Sequence, residues 1–115
     1  MASCGQEDLI QIQVVEFLKQ CTDLPFYHYA GERKCTPQAG ALLKRKGVKP
    51  GVPDLHLPKP NATHKDLWIE LKTPSGRVSP SQAEFLRQRI EEGSCCHVAY
   101  SAPEAILMIK EFYDI

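Results

Sequence analysis

Asp54, Glu70 and Lys72 are the residues whose types and spacing suit one piece of chemistry. Two carboxylates that converge can hold a divalent cation such as Mg²⁺ through hard oxygen ligands, and a lysine beside them presents an amine to a reacting group. Glu70 and Lys72 lie two apart in Asp66-Leu67-Trp68-Ile69-Glu70-Leu71-Lys72, where apolar and polar residues alternate with the period of a strand. One face then carries Leu67, Ile69 and Leu71, and the other carries Trp68, Glu70 and Lys72. Asp54 lies in Gly51-Val52-Pro53-Asp54-Leu55-His56-Leu57, a shorter run that also reads as a strand. The loop from Pro58 to Lys65, rich in Pro and polar residues, suits an antiparallel hairpin that sets Asp54 beside Glu70. A Glu-x-Lys pair on a strand is equally what a solvated face looks like, so the elements around it must decide.

Those elements are legible. From Glu7 to about Cys21, the residues Ile10, Val14, Phe17, Leu18 and Cys21 line one helical stripe. Glu7 falls inside that stripe, Gln11 on its edge and Glu16 on the opposite face. An inward Glu7 needs a partner such as a metal, whereas a Glu7 in a frayed first turn would simply favour the helix dipole. Phe26-Tyr27-His28-Tyr29 suits a short strand. Thr36-Pro37 opens a second helix, with Thr as N-cap and Pro at the first position, running to about Lys46 before Gly47. Ser79-Pro80-Ser81-Gln82 opens a third with a capping box, which explains Gln82 structurally and also sets it one turn from the loop after Lys72. Cys95 to Tyr100 reads as a strand. Ser101 and Glu104 make a second capping box for a last apolar helix. Strand, helix and strand from Asp66 to Tyr100 predict a parallel crossover. The whole order predicts an α/β sandwich with a small mixed sheet.

With 115 residues the chain supports one compact domain spanning residues 1–115. No stretch is long enough for a membrane span and no signal pattern opens the chain, so a soluble cytoplasmic protein is expected. The cysteines, Cys4, Cys21, Cys35, Cys95 and Cys96, include no Cys-x-x-Cys pair and are odd in number. They argue against a zinc site or disulfide framework and for buried reduced thiols. Lysine plus arginine balances aspartate plus glutamate at 14 each, but unevenly along the chain. Arg33, Lys34, Lys44, Arg45, Lys46 and Lys49 stand against Glu32 alone between Gly31 and Pro50. A basic segment leading into a carboxylate site points to a polyanion. Lys44, Arg45 and Lys46 also end a helix, where cations favour the dipole.

Taken together, Gly47-Val48-Lys49-Pro50-Gly51-Val52-Pro53-Asp54-Leu55, Trp68-Ile69-Glu70-Leu71-Lys72 and Gly76-Arg77-Val78-Ser79-Pro80-Ser81-Gln82 resemble the PD-(D/E)XK nuclease superfamily. More narrowly they are similar to the stand-alone VRR-NUC proteins of phages and bacteria, whose first motif Glu7 and Gln11 match. One departure is the family's Asn-Gly turn between the first two helices, where this chain has Tyr29-Ala30-Gly31-Glu32-Arg33. The resemblance implies a restriction-endonuclease-like core and a structure-specific DNA endonuclease dependent on Mg²⁺ or Mn²⁺, in a bacterial or phage-infected cell. It implies a homodimer resembling Holliday-junction resolvases, with the last helix and Phe26 to Tyr29 as candidate interfaces. Asp54, Glu70 and the Leu71 carbonyl would hold the metal, and Glu7 would orient water or hold a second ion. Lys72 would stabilise charge, Gln82 would contact the phosphate backbone or the Lys72 region, and the six basic residues would grip DNA. The alternative is a DNA-binding module or accessory subunit with the same fold and no cleavage.

Overall fold

The computed structural model describes residues 5–29 and 36–115. Its elements are α1 (Gln6–Cys21), β1 (Tyr27–His28), α2 (Pro37–Arg45), β2 (Leu55–Leu57), β3 (Leu67–Leu71), α3 (Pro80–Glu91), β4 (Cys95–Ala99) and α4 (Ala102–Tyr113). The helix starts follow local chemistry. Thr36 Oγ1 accepts the Ala39 N–H at 3.1 Å and opens α2, with Pro37 at its start. Ser79 and Gln82 close a full capping box on α3. The box expected on α4 is only half made. Ser101 Oγ accepts the Glu104 N–H at 3.2 Å, but the Glu104 carboxylate reaches past Ser101 to the Tyr100 N–H at 3.1 Å.

The sheet runs β1-β2-β3-β4, with β1/β2 and β2/β3 antiparallel and β3/β4 parallel through α3. The mixed α/β architecture is therefore as the element order predicts. β2 is shorter than the run Gly51–Leu57 suggests. Gly51 has φ +85° and Pro53 has no N–H to give a ladder, so regular pairing starts only at Leu55. One sheet face, Leu55, Leu57, Leu67, Ile69 and Leu71, is fully buried with Val14 and Leu18 of α1 and Ala105 and Ile109 of α4. Each such large aliphatic burial contributes roughly 1.5–3 kcal/mol. One expectation is corrected by this packing. Cys21, placed in the apolar stripe of α1, is exposed, because α1 ends there and its core contacts stop at Leu18. The last helix spends Ala102, Ala105 and Ile109 on the core and packs Met108, Phe112 and Tyr113 against it, leaving Leu107 as its exposed large apolar side chain. Cys95 and Cys96 are half-buried free thiols, and burial pushes Cys96 up to about 12. Cys4 and Cys35 lie outside the described residues.

The opposite face carries a row of rings across three strands. Tyr27 pairs with His56 and His56 with Trp68. His56 stacks on Trp68 at 3.8 Å between centroids, and Trp68 meets Phe85 of α3 edge-on at 5.2 Å. Asp66 Oδ2 meets His56 Nε2 at 2.9 Å and sets the ring's orientation. Burial pushes the Asp66 carboxyl up, but the Ser94 hydroxyl and the His56 ring beside it together hold it below its ordinary value. A carboxyl so lowered stabilises the fold fully above its unfolded pKa and loses that contribution as pH falls through the lower, folded one. The stability gap between wild type and Asp66→Asn, read by urea unfolding, should therefore narrow between about pH 5 and 3. A gap that stays constant over that range would contradict it.

Candidate functional site

Asp54 sits one step beyond the Leu55–Ile69 pair, opposite Glu70, where the hairpin reading places it. Its side chain is tied to the sheet: the Leu71 N–H donates to Asp54 Oδ2 at 2.8 Å. Its carbonyl is tied as well, accepting the Tyr29 N–H at 3.0 Å and His28 Nδ1 at 2.9 Å. Asp54 is thus held from both neighbouring strands. Tyr29 does more. Its hydroxyl donates to the Lys49 carbonyl and accepts the Lys49 N–H, both at 3.1 Å, which docks the end of the basic segment against β1. The sequence reading gave His28 and Tyr29 no part in the site. Their signal is confined to a two-residue strand, too short for periodicity to show its register.

Glu70 is 3% exposed, on the same sheet face as Trp68. Gln82 Nε2 donates to Glu70 Oε1 at 3.2 Å, while Gln82 Oε1 accepts the Ser79 N–H at 2.8 Å. The two readings of Gln82 are therefore one arrangement. Its amide oxygen caps α3 and its amide nitrogen holds the buried carboxylate. Lys72 Nζ lies 3.7 Å from the same Glu70 oxygen, with the lysine side chain 14% exposed. Burying a carboxylate is costly unless charge or hydrogen bonds meet it, and Lys72 and Gln82 supply both kinds of contact. Glu7 comes from the first turn of α1. The residue is exposed, yet one of its carboxylate oxygens lies within 4.8 Å of oxygens of both Asp54 and Glu70. Glu7 at once favours the α1 dipole and closes an acidic triad. Gln11, one turn on, has a buried Nε2 that no acceptor meets among the described residues.

Gly51 presses this assembly together. A Cβ there would stand 2.6 Å from the Ser81 carbonyl carbon and 3.0 Å from the Gln82 nitrogen. The approach to Asp54 and the first turn of α3 are in backbone contact only because position 51 has no side chain.

Among the described residues the donor set is three carboxylates, with no thiolate or imidazole. That set fits a hard divalent cation such as Mg²⁺, Mn²⁺ or Ca²⁺, and argues against zinc or copper. A cation would also offset the mutual repulsion of the three acids. Outside the cluster, Lys44, Arg45, Lys46 and Lys49 are exposed, the first two in the last turn of α2. α2 buries none of its residues, so this helix end is open to an anionic partner. Arg33 and Lys34 lie outside the described residues.

Comparison with known proteins agrees with this fold. A family model described as "VRR-NUC domain" matches residues 5–103. A solved structure described as a "VRR_NUC domain protein" superposes with a TM-score of 0.80 at 27% sequence identity, covering 98% of this chain and 92% of that one. No curated protein matches the chain.

Proposed function

The chain belongs to the VRR-NUC domain family, a nuclease family, and from that membership we propose that it is a divalent-metal-dependent endonuclease acting on branched DNA as a homodimer. The observation that carries this reading is the meeting of Glu7, Asp54 and Glu70 in one cluster with Lys72 beside it. Asp54 and Glu70 would hold Mg²⁺ or Mn²⁺, with the Leu71 carbonyl contributing from β3 beside Glu70. Such an ion supplies Lewis-acid polarisation of the phosphate and lowers the pKa of water. The chain's own groups do the rest. Glu7 accepts a hydrogen bond from the attacking water and orients it. Lys72 presents its ammonium to the phosphoryl oxygen on which negative charge grows. Gln82 fixes the Glu70 carboxylate through the bond described above. Lys44, Arg45, Lys46 and Lys49 grip the DNA backbone without reading its sequence, and Arg33 and Lys34 extend that basic segment in the sequence.

A branched substrate with two symmetric strands needs two sites, which a two-fold dimer provides. β1 at the open edge of the sheet, with Tyr27 64% exposed, suits such a contact better than α4, whose apolar face is spent on the core. No helix among the described residues is long and apolar enough to cross a membrane.

The test is cleavage of an immobile four-way junction, a flap, linear duplex and single strand with Mg²⁺ or Mn²⁺. Paired symmetric nicks in the junction are expected. Equal cutting of all substrates would refute the structural preference, and binding without cutting would favour an accessory DNA-binding module. A calorimetric titration isolates the metal. Mn²⁺ should bind wild type and bind Asp54→Ala at least about tenfold more weakly. Equal affinity would remove Asp54 from the ligand set. Ca²⁺ should support DNA binding with little cleavage, because its looser coordination places water poorly.

A further inference from the structure

Beyond the carboxyl ends of the two parallel strands lies a wide-mouthed surface cavity of about 760 Å³ lined by Pro74, Ser75, Gly76, Arg77, Val78 and Tyr100. Its position is set by the sheet. Lys72 continues β3 by donating its N–H to the Ala99 carbonyl at 2.9 Å, and Tyr100 is the next residue of β4. The crevice outside the carboxyl ends of parallel strands is where open α/β sheets bind ligands. The cavity also abuts the site already described. The loop turns back on Lys72 through the Gly76 N–H to Thr73 carbonyl bond of 2.8 Å, and a Cβ at Gly76 would stand 3.3 Å from Lys72 Cβ. What lines it is chemically pointed. Arg77 is an exposed cation that forms no ion pair among the described residues. Tyr100 is 37% exposed, and its backbone is fixed by the Glu104 carboxylate. Among the described residues no acidic side chain contributes to the wall. An exposed guanidinium and a tyrosine side chain on one wide-open hollow suit an anion joined to a flat π-system.

We propose that this cavity is a subsite for one unpaired nucleotide flanking the scissile phosphate, with its base on Tyr100 and its phosphate on Arg77. The inference rests on the nuclease reading above and narrows it. A base can lie on Tyr100 only when it has left its own stack, so the subsite takes a nucleotide extruded at the branch point beside the cut in a junction, or one already unpaired in a flap.

Binding measured by fluorescence anisotropy in Ca²⁺ tests it, using a flap, a single strand and a blunt duplex. Tyr100→Ala should bind the flap and single strand about 5- to 150-fold more weakly, the range for loss of one base–aromatic stack. The blunt duplex should change by less than about twofold, and Tyr100→Phe, which keeps the ring, should behave as wild type. Arg77→Ala should weaken binding and lower the salt slope by about one phosphate contact. Equal affinities of wild type and Tyr100→Ala for the flap, or equal losses for Tyr100→Ala and Tyr100→Phe, would overturn the subsite while wild-type cleavage stands. A wild type that neither cuts nor binds any of these DNAs would overturn the nuclease reading, and the subsite with it.

Discussion

Lys72→Ala and Glu70→Gln should each abolish cleavage, by about 10²- to 10³-fold or more, while leaving a folded protein. The two losses have different physical origins. Lys72 places its ammonium 3.7 Å from Glu70 in a largely enclosed position, where charge is weakly screened. On the proposed mechanism its removal takes away the cation that would meet the growing charge on the phosphate. Glu70→Gln is nearly isosteric, so the Gln82 amide can still donate to the side-chain oxygen at position 70. What it loses is one of three acids in the cluster. That loss should weaken Mn²⁺ binding; it relieves carboxylate repulsion but takes the ion-pair partner from Lys72, so metal-free Glu70→Gln should melt within a few degrees of wild type. Added Mn²⁺ should raise the melting temperature of wild type and not that of Glu70→Gln, since only a ligand bound to the native state stabilises it. Cleavage by either variant near the wild-type rate would refute the site. A Glu70→Gln protein that melts well below wild type and still responds to Mn²⁺ would make Glu70 a structural residue.

How much of this arrangement could be read in the chain depends on the range of the interaction behind each feature. Alternation in Leu67, Ile69 and Leu71 and the caps at Thr36 and Ser79 are local, and each leaves a pattern within a few residues. The Asp54–Glu70 juxtaposition is longer in range, yet legible, because a one-residue slip of the hairpin would turn a whole set of apolar side chains off the buried face. The hold of His28 and Tyr29 on Asp54 crosses about 25 residues from a strand of two, and nothing local encodes it. Cys21 and Glu104 show the other limit. Periodicity gives a direction around a helix but not where its packing stops, and a capping pattern gives a donor and an acceptor but not which N–H the carboxylate finally meets.

Gly51→Ala should damage stability and activity together, unlike either site variant. At φ +85° an alanine costs about 1–3 kcal/mol in backbone strain alone. Its Cβ would then press on the Ser81 carbonyl and the Gln82 nitrogen, which are backbone atoms of the first turn of α3 and cannot rotate away. Either the approach to Asp54 or the start of α3 must shift. The first movement draws Asp54 from Glu70, and the second draws Gln82 from Glu70 and opens the capping box. A total loss of about 2–4 kcal/mol is expected, with weaker Mn²⁺ binding. Gly47→Ala is the control that separates the two causes. Gly47 has φ +100°, but nothing stands within 4 Å of a Cβ there, so only the backbone strain applies. Thermal unfolding and Mn²⁺ titration of the two variants side by side decide the matter. Equal destabilisation with equal metal affinity would mean that contact between the Asp54 approach and α3 does not position the acids. A larger loss at Gly51, accompanied by weaker metal binding, ties the geometry of the acidic cluster to a single missing side chain.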